Sequence, residues 1–503
     1  MFKMLSIRSS GILLHPTSLP GIFGSGDFGS NAFKFVDWLV SAGQTKWQTL
    51  PLGEVGPGNS PYMSSSAFAG NILLIDLEWL AKQGWLVEED LIPHSKFSSQ
   101  RVDYDLIKSY RLERLRLASQ RFFSRKDKRK HAAFVEFCEK EKYWLDDYAL
   151  FKAVGQHMHG SDWSEWPVEL AKREPQALET AKLQYSDELE FWKFCQWSFA
   201  QQWFELKKYA NDRGVRIIGD VPIFVAYHSA DVWSHQDQFE LDERGRPTIV
   251  AGVPPDYFSE TGQLWGNPLY AWDAHERNGY AWWISRMEHA FKYFDLVRID
   301  HFRGFANYWA IPSNAQTAIY GIWMPGPRDK LFDAFRNSLG KLPIIAEDLG
   351  LITSDVIELR DRFDLPGMRI LQFAFGEDDR NYFLPHHYVA NSVAYTGTHD
   401  NDTTVGWWNT AKEHEKSFAS RYLDCEGDDI NWVMIKALSA SAANTVIYPL
   451  QDVLGLGSEH RMNLPGTSDG NWEWRFTWKQ LHKSHTKQLS ELSVLYKRLR
   501  SPI

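Results

Sequence analysis

In the apolar run FDLVRIDHFRGF, Phe294 to Phe305, the charged residues Arg298, Asp300 and Arg303 fall within six positions. Side chains two apart on a strand share a face, so Arg298 and Asp300 point one way while Val297 and Ile299 point the other. Burying such charges costs several kcal/mol per ion unless geometry and further hydrogen bonds offset it, so the pair marks a structural ion link or a reactive site. Other apolar runs end in the same manner: His15 in GILLHPTS, Asp220 in VRIIGDVPIFV, Glu347 in LPIIAEDLG, and His399 with Asp400 in SVAYTGTHDND. Two carboxylates of different character suit cleavage of a glycosidic bond, one ionised beneath the anomeric carbon and one protonated to release the leaving oxygen. Arg298 favours the charged form of Asp300, whereas Glu347, in apolar sequence near other carboxylates, holds its proton longer. A charge network that merely locks the fold competes with this reading on any one strand. Its repetition on several strands argues for chemistry.

The elements that must position these groups recur along the chain. Eight short apolar runs end in polar or glycine-rich turns: Gly11–Ser18, Lys46–Gly53, Val215–Val225, Phe294–Gly304, Leu342–Gly350, Gly367–Gly376, Ser392–Asp402 and Asn444–Gly455. Material long enough for a helix separates them, which predicts an α/β fold, a (β/α)8 TIM barrel with functional groups at the C-terminal strand ends. At 503 residues the chain leaves room for insertions in that barrel. The spacing predicts one catalytic domain over 1–503 with a mostly helical insert at 77–210, between strands 2 and 3. A second insert at 226–291, between strands 3 and 4, carries a lid candidate over Gly252–Glu260.

Bulk properties exclude several function classes. The balance of 55 Lys plus Arg against 64 Asp plus Glu gives net charge -9, which disfavours nucleic acid, and the basic run SRKDKRKH reads as a solvated turn. Three widely spaced cysteines, Cys138, Cys195 and Cys425, suggest neither a disulfide framework nor a cysteine-based metal site. With no signal-like N-terminus and no long apolar segment, a cytoplasmic protein with no membrane contact is expected. Gly24, Gly26 and Gly29 have the G-x-G-x-x-G spacing, but Pro16 and Pro20 separate them from the strand, so a dinucleotide site is rejected in favour of a surface turn. A metal cluster of His399, Asp400 and Asp402 lacks a second histidine near His15 to complete it. Most of the 23 Trp, 20 Tyr and 31 Phe, Tyr62 and Trp265 included, read as core.

Across nearly its whole length the chain resembles the amylomaltases, the 4-α-glucanotransferases related to the α-amylase barrel enzymes. The resemblance rests on GILLHPTSLPGIFGSGDFG, GNSPYMSSSAFAGN, IIGDVPIFVA, GVPPDYFSETGQLWGNPLY, VRIDHFRGF, IIAEDLG, YTGTHDNDTTVGWW and RMNLPGTSDGNWEWR. It implies transfer of α-1,4-glucan segments among maltooligosaccharides, without metal or cofactor. It also implies roles: Asp300 as nucleophile, Glu347 as general acid and base, Asp400 as the grip on the hydroxyls of the distorted sugar, and Arg298 as the group orienting Asp300. Ser60, Tyr62, Asp220, Gln263, Trp265, His399 and Asn463 match positions lining the glucan cleft, with Tyr62 and Trp265 as sugar platforms, and Asp256 lies in the loop above it. Pro57 departs from the pattern, since family members commonly carry a tyrosine there.

Overall fold

A closed ring of eight parallel strands forms the centre of the molecule, a computed structural model that describes residues 7–93, 95–125, 127–255, 259–376 and 381–499. In order around the ring these are β1 (Ser9–Leu13), β2 (Lys46–Gln48), β3 (Arg216–Pro222), β6 (Leu296–Asp300), β9 (Ile344–Ala346), β10 (Gly367–Ile370), β11 (Ser392–Tyr395) and β12 (Thr445–Pro449), with β12 closing on β1. Each of the eight apolar runs contributes one strand, and the ring follows chain order. Parallel strands covered on both faces read as continuous apolar runs, which is why Ile217, Ile218, Val297, Ile299, Ile345 and Val446 are fully buried. Register then decides which charges meet. On the β3–β6 ladder Asp220 lies opposite Arg298, so the guanidinium and the carboxylate start on neighbouring strands at the same height.

Between β2 and β3 the chain is chiefly helical, with long helices at Tyr104–Ser124, Lys128–His157 and Ser186–Asp212. The last of these anchors the segment that follows β2. Gln196 exchanges two hydrogen bonds with the Gly70 backbone at 2.8 and 2.9 Å, and Gln202 does the same at Asp76 at 2.7 and 3.3 Å. Two buried amides thus satisfy backbone groups that no strand reaches, as buried polar groups require.

The connection after β3 differs from the expected loop. It holds β4 (Ile249–Val253) and β5 (Gln263–Pro268), which join β7 (Asn307–Pro312) and β8 (Ile322–Pro325) in a separate sheet of order β5-β4-β7-β8. All three ladders of that sheet are antiparallel. The proline- and glycine-rich composition hid these short strands, and the β4 partner on β7 lies across the barrel strand β6 in sequence. The glycine pattern after β1 serves packing: Gly24 has φ 85°, and a Cβ on Gly26 would lie 2.1 Å from the Pro16 carbonyl oxygen.

Trp203, on helix Ser186–Asp212, joins these layers. It is fully buried, donates Nε1–H to the Tyr293 carbonyl at 3.0 Å, and its ring lies 5.1 Å from Phe28 and 5.7 Å from Phe294. Replacing it with alanine should remove about 3–5 kcal/mol of stability. Equilibrium urea unfolding of Trp203→Ala reads this as a lower midpoint; an unchanged midpoint would show that the helix is not tied to the barrel there.

Candidate active site

Arg298 is the junction of the cleft. Its side chain is 4% exposed, and Nη1 donates to both Asp220 oxygens, at 2.8 and 2.6 Å, while Nη2 donates to Asp300 Oδ1 at 2.8 Å. Burial alone would weaken the guanidinium charge, but Asp220 and Asp300 together push its pKa upward, so it stays cationic. The Asp220 side chain is wholly buried, and its Oδ2 also accepts from the Tyr62 hydroxyl at 2.8 Å. Burial and Asp220 push the Tyr62 phenol far above its ordinary value, so it remains a donor.

Asp300 differs from Asp220 in access, with 31% of its side chain open to the cleft. Arg298 does favour its charged form, yet burial is the larger influence, and with Asp220 and Asp400 it raises Asp300 above the ordinary carboxylate value. The sequence expectation named only the arginine; desolvation by the barrel walls acts against it. At Glu347 the same forces go further. Burial first, then Asp300, push it up to about 8 against Arg298 and two backbone donors, His301 N–H at 2.6 Å and Leu349 N–H at 3.0 Å. The cleft therefore offers an arginine-paired carboxyl beside one that holds its proton up to about pH 8. The neighbouring Asp348 is turned away, held by Met368 N–H at 2.6 Å and Arg360 at 2.5 Å.

Asp400 forms a second polar cluster. Its Oδ1 accepts from Asn463 Nδ2 at 2.7 Å, and Oδ2 lies 3.3 Å from His399 Nε2. The His399 ring stacks on Tyr62 with centroids 5.2 Å apart, tying this cluster to the Asp220 side of the cleft. Ser60 caps the short turn that carries Tyr62, accepting from its backbone N–H at 3.3 Å. On β5, Trp265 is half-buried and donates Nε1–H to Gln263 Oε1 at 3.1 Å. Asp256, with Tyr257 and Phe258 of the lid candidate, lies outside the described residues. His15 is buried and its pKa is lowered to about 3, by burial and then by His399, which keeps it neutral. Asp402 caps locally, accepting from Thr403 N–H and Ser458 Oγ at 2.7 Å each, and among the described residues no group of three acidic, histidine or cysteine side chains could hold a metal ion.

Three residues of the cleft escaped the sequence reading. His301 takes a left-handed conformation, φ 54° and ψ 49°, which turns its N–H onto Glu347 and sets its ring edge-on to Trp265 at 4.8 Å. Histidine tolerates that region better than most residues, but nothing in the string marks the angle. Trp472 packs against both Tyr62 and His399 at 5.7 Å. Arg461 donates to the Asp400 and Asn463 carbonyls at 2.9 Å each and so fixes the second cluster.

Comparison with known proteins gives concordant matches. A family model described as 4-alpha-glucanotransferase matches residues 14–481. The chain is 50% identical over 500 residues to a 4-alpha-glucanotransferase of Thermus thermophilus, covering 98% of this chain and 99% of that one. It is 46% identical over 503 residues to a chloroplastic/amyloplastic 4-alpha-glucanotransferase of Solanum tuberosum, covering 98% and 87%. Among solved structures, an amylomaltase from Streptococcus agalactiae in complex with acarbose superposes with TM-score 0.95 at 39% identity, covering 98% of this chain and 100% of that chain.

The raised Glu347 pKa has a consequence for stability that is independent of any reaction. Between the ordinary glutamate value near 4.3 and about 8, the folded state holds a proton that the unfolded state has released, so this group's contribution to stability falls as pH rises. Glu347→Gln removes that dependence. The difference in unfolding midpoint, variant minus wild type, should therefore grow in the variant's favour from pH 4 to pH 8; a difference that stays flat with pH would refute the raised pKa.

Proposed function

The chain belongs to the 4-alpha-glucanotransferase family, and from that premise we propose that it moves α-1,4-glucan segments through a covalent glycosyl-enzyme on Asp300, with Glu347 as acid and base. The observation that carries this reading is the unlike setting of the two carboxyls, Asp300 hydrogen-bonded by Arg298 and Glu347 protonated up to about pH 8. Arg298 occupies Oδ1, which leaves Oδ2 of Asp300 to attack the anomeric carbon of the donor. As the new C–O bond forms, the glycosidic C–O bond breaks and the Glu347 proton passes to the departing 4-oxygen. In the second half the acceptor's 4-hydroxyl gives its proton to the Glu347 carboxylate, its oxygen attacks the same carbon, and the ester to Asp300 breaks. Two displacements retain the anomeric configuration.

Asp400, with oxygens oriented by Asn463 and His399, grips ring hydroxyls of the donor sugar in this reading. Trp265 and Tyr62 supply flat faces for neighbouring sugars, the first half-buried on β5 and the second braced by Asp220. Gln263 and Ser60 act on the substrate through the orientation of these aromatics. The substrates are maltooligosaccharides and other α-glucans, an assignment supported by the family and by the acarbose held in the Streptococcus agalactiae amylomaltase.

Incubation with pure maltotriose, without added metal or cofactor, tests the reaction. A ladder of longer maltooligosaccharides together with glucose is expected; glucose and maltose alone would mean that water is the acceptor. Asp300→Asn should lower turnover by about 10⁴-fold or more while the protein stays folded, and substantial residual transfer would remove Asp300 from the nucleophile's role. In the wild type, transfer should decline as pH rises through about 8, where the acid loses its proton.

A further inference from the structure

Arg303 lies three residues beyond Asp300 and is 5% exposed, yet neither displacement at the two carboxyls uses it. Among the described residues no carboxylate forms an ion pair with it. Burial lowers its pKa, and the charge that opposes this, Asp355, is reached through Asn307, which accepts from Arg303 Nη2 and donates to Asp355 at 2.6 Å. A buried cation held by neutral partners is costly, so its place in the fold needs a reason beyond charge pairing.

The reason lies in what the side chain joins. Three hydrogen bonds run from the turn after β6 to the segment after β9. His301 N–H donates to Glu347 Oε2 at 2.6 Å, Phe302 N–H donates to the Glu347 carbonyl at 3.1 Å, and Arg303 Nη1 donates to the Leu351 carbonyl. The first two grip the segment at Glu347 itself, and Arg303 reaches its far side. Leu351 is 59% exposed, so its own side chain does little to anchor it. The rest of the guanidinium is locked to the small sheet, through Asn307 on β7 and the Trp323 ring on β8, whose centre lies 4.1 Å from Cζ. We propose that Arg303 is a positioning residue of the reaction, tying the turn after Asp300 to the segment after Glu347 and so holding the His301 N–H on the acid. This deepens the catalytic reading and rests on it.

Arg298 holds Asp300 separately, so loosening Arg303 acts chiefly on Glu347. A donor that favours the charged carboxylate lowers its pKa, and weakening the His301 bond lets that of Glu347 rise further. The other charged or titratable groups around Glu347 are Arg298 and Asp300 on β6, Tyr382, and Asp348 with Arg360 and Arg369. None of them is bonded to Arg303 among the described residues.

Steady-state kinetics of full-length Arg303→Met and Arg303→Lys with maltotriose test the proposal. Met removes both the donors and the charge; Lys keeps the charge, so a change shared by the two cannot come from the lost cation. In Arg303→Met kcat should fall about 10–100-fold, and in Arg303→Lys by a smaller factor, with KM within about twofold of wild type in both. The alkaline limb of the kcat/KM profile, at about 8 in the wild type, should move upward in both variants. An unchanged kcat, a loss carried by KM, or a limb that stays in place would overturn the proposal and leave Arg303 as a brace for the small sheet. If Arg303→Met does not fold, Arg303→Lys decides on the same criteria. Glu347→Gln, measured alongside, keeps the two readings apart: full transfer by that variant removes Glu347 as acid and base, whereas its inactivity beside wild-type behaviour of the Arg303 variants overturns only the role of Arg303.

Discussion

The buried guanidinium of Arg298 is the constraint on which the cleft depends. It sits on β6 opposite Asp220 of β3 and two residues before Asp300, so a single side chain fixes the spacing of two strands and the placement of the Asp300 carboxyl. Such a link contributes little net stability, since the desolvation of the ions consumes most of the attraction. Breaking it by removing one partner would nevertheless leave uncompensated buried charge, at about 3–5 kcal/mol. The arrangement is therefore kept by the cost of disrupting it, and its benefit lies in geometry. Tyr62 extends the network, because its hydroxyl donates to Asp220, and through the stacked His399 it reaches Asp400.

Around that fixed charge, burial acts unequally on the remaining carboxyls. Asp300 has the arginine at 2.8 Å and an open face; Glu347 has neutral backbone donors and a nearby carboxylate. The same desolvation that raises both is answered at Asp300 by a guanidinium in direct hydrogen bond, and at Glu347 by the charge of that same guanidinium together with two peptide N–H groups. Two chemically similar side chains thus meet different electrostatic surroundings, the kind of asymmetry on which a double displacement draws. The cost is visible in the backbone, since His301 must occupy a left-handed conformation to bring its N–H to Glu347.

Much of this was legible in the string, for reasons that also explain what was not. The barrel strands are buried on both faces, so each appears as an apolar run ending in a polar residue, and eight such runs gave the closed sheet. The antiparallel sheet β5-β4-β7-β8 was hidden because its pairing partners flank a barrel strand and its own strands are short and interrupted by Gly and Pro. Arg298, Asp300 and Glu347 stood out because charge in an apolar context is improbable without a partner. Trp265 and Tyr62 could not be separated from core by composition, and only the family resemblance and their half-buried placement at the cleft distinguish them. Trp472 and Arg461 carried no signal, for their roles consist of contacts with residues distant in sequence.

The helical insert has a place in this logic that its distance from Arg298 conceals. Gln196 and Gln202 clamp the chain at Gly70 and Asp76, while Asp231 and Ala230 hold it at Ala67 and Ser65, so the segment after β2 is fastened on both sides of its turn. Tyr62 hangs from the start of that segment, and its hydroxyl must meet Asp220 within hydrogen-bond distance for the network to close. A barrel alone offers only strand ends, whose loops would place an aromatic side chain loosely. By packing helices against the outside of the loop, the insert converts a flexible connection into a fixed wall of the cleft, and the polar cost of doing so is met by buried amides and one carboxylate. The position of the Tyr62 ring is thus set from outside the barrel, and that of Asp300 from within it.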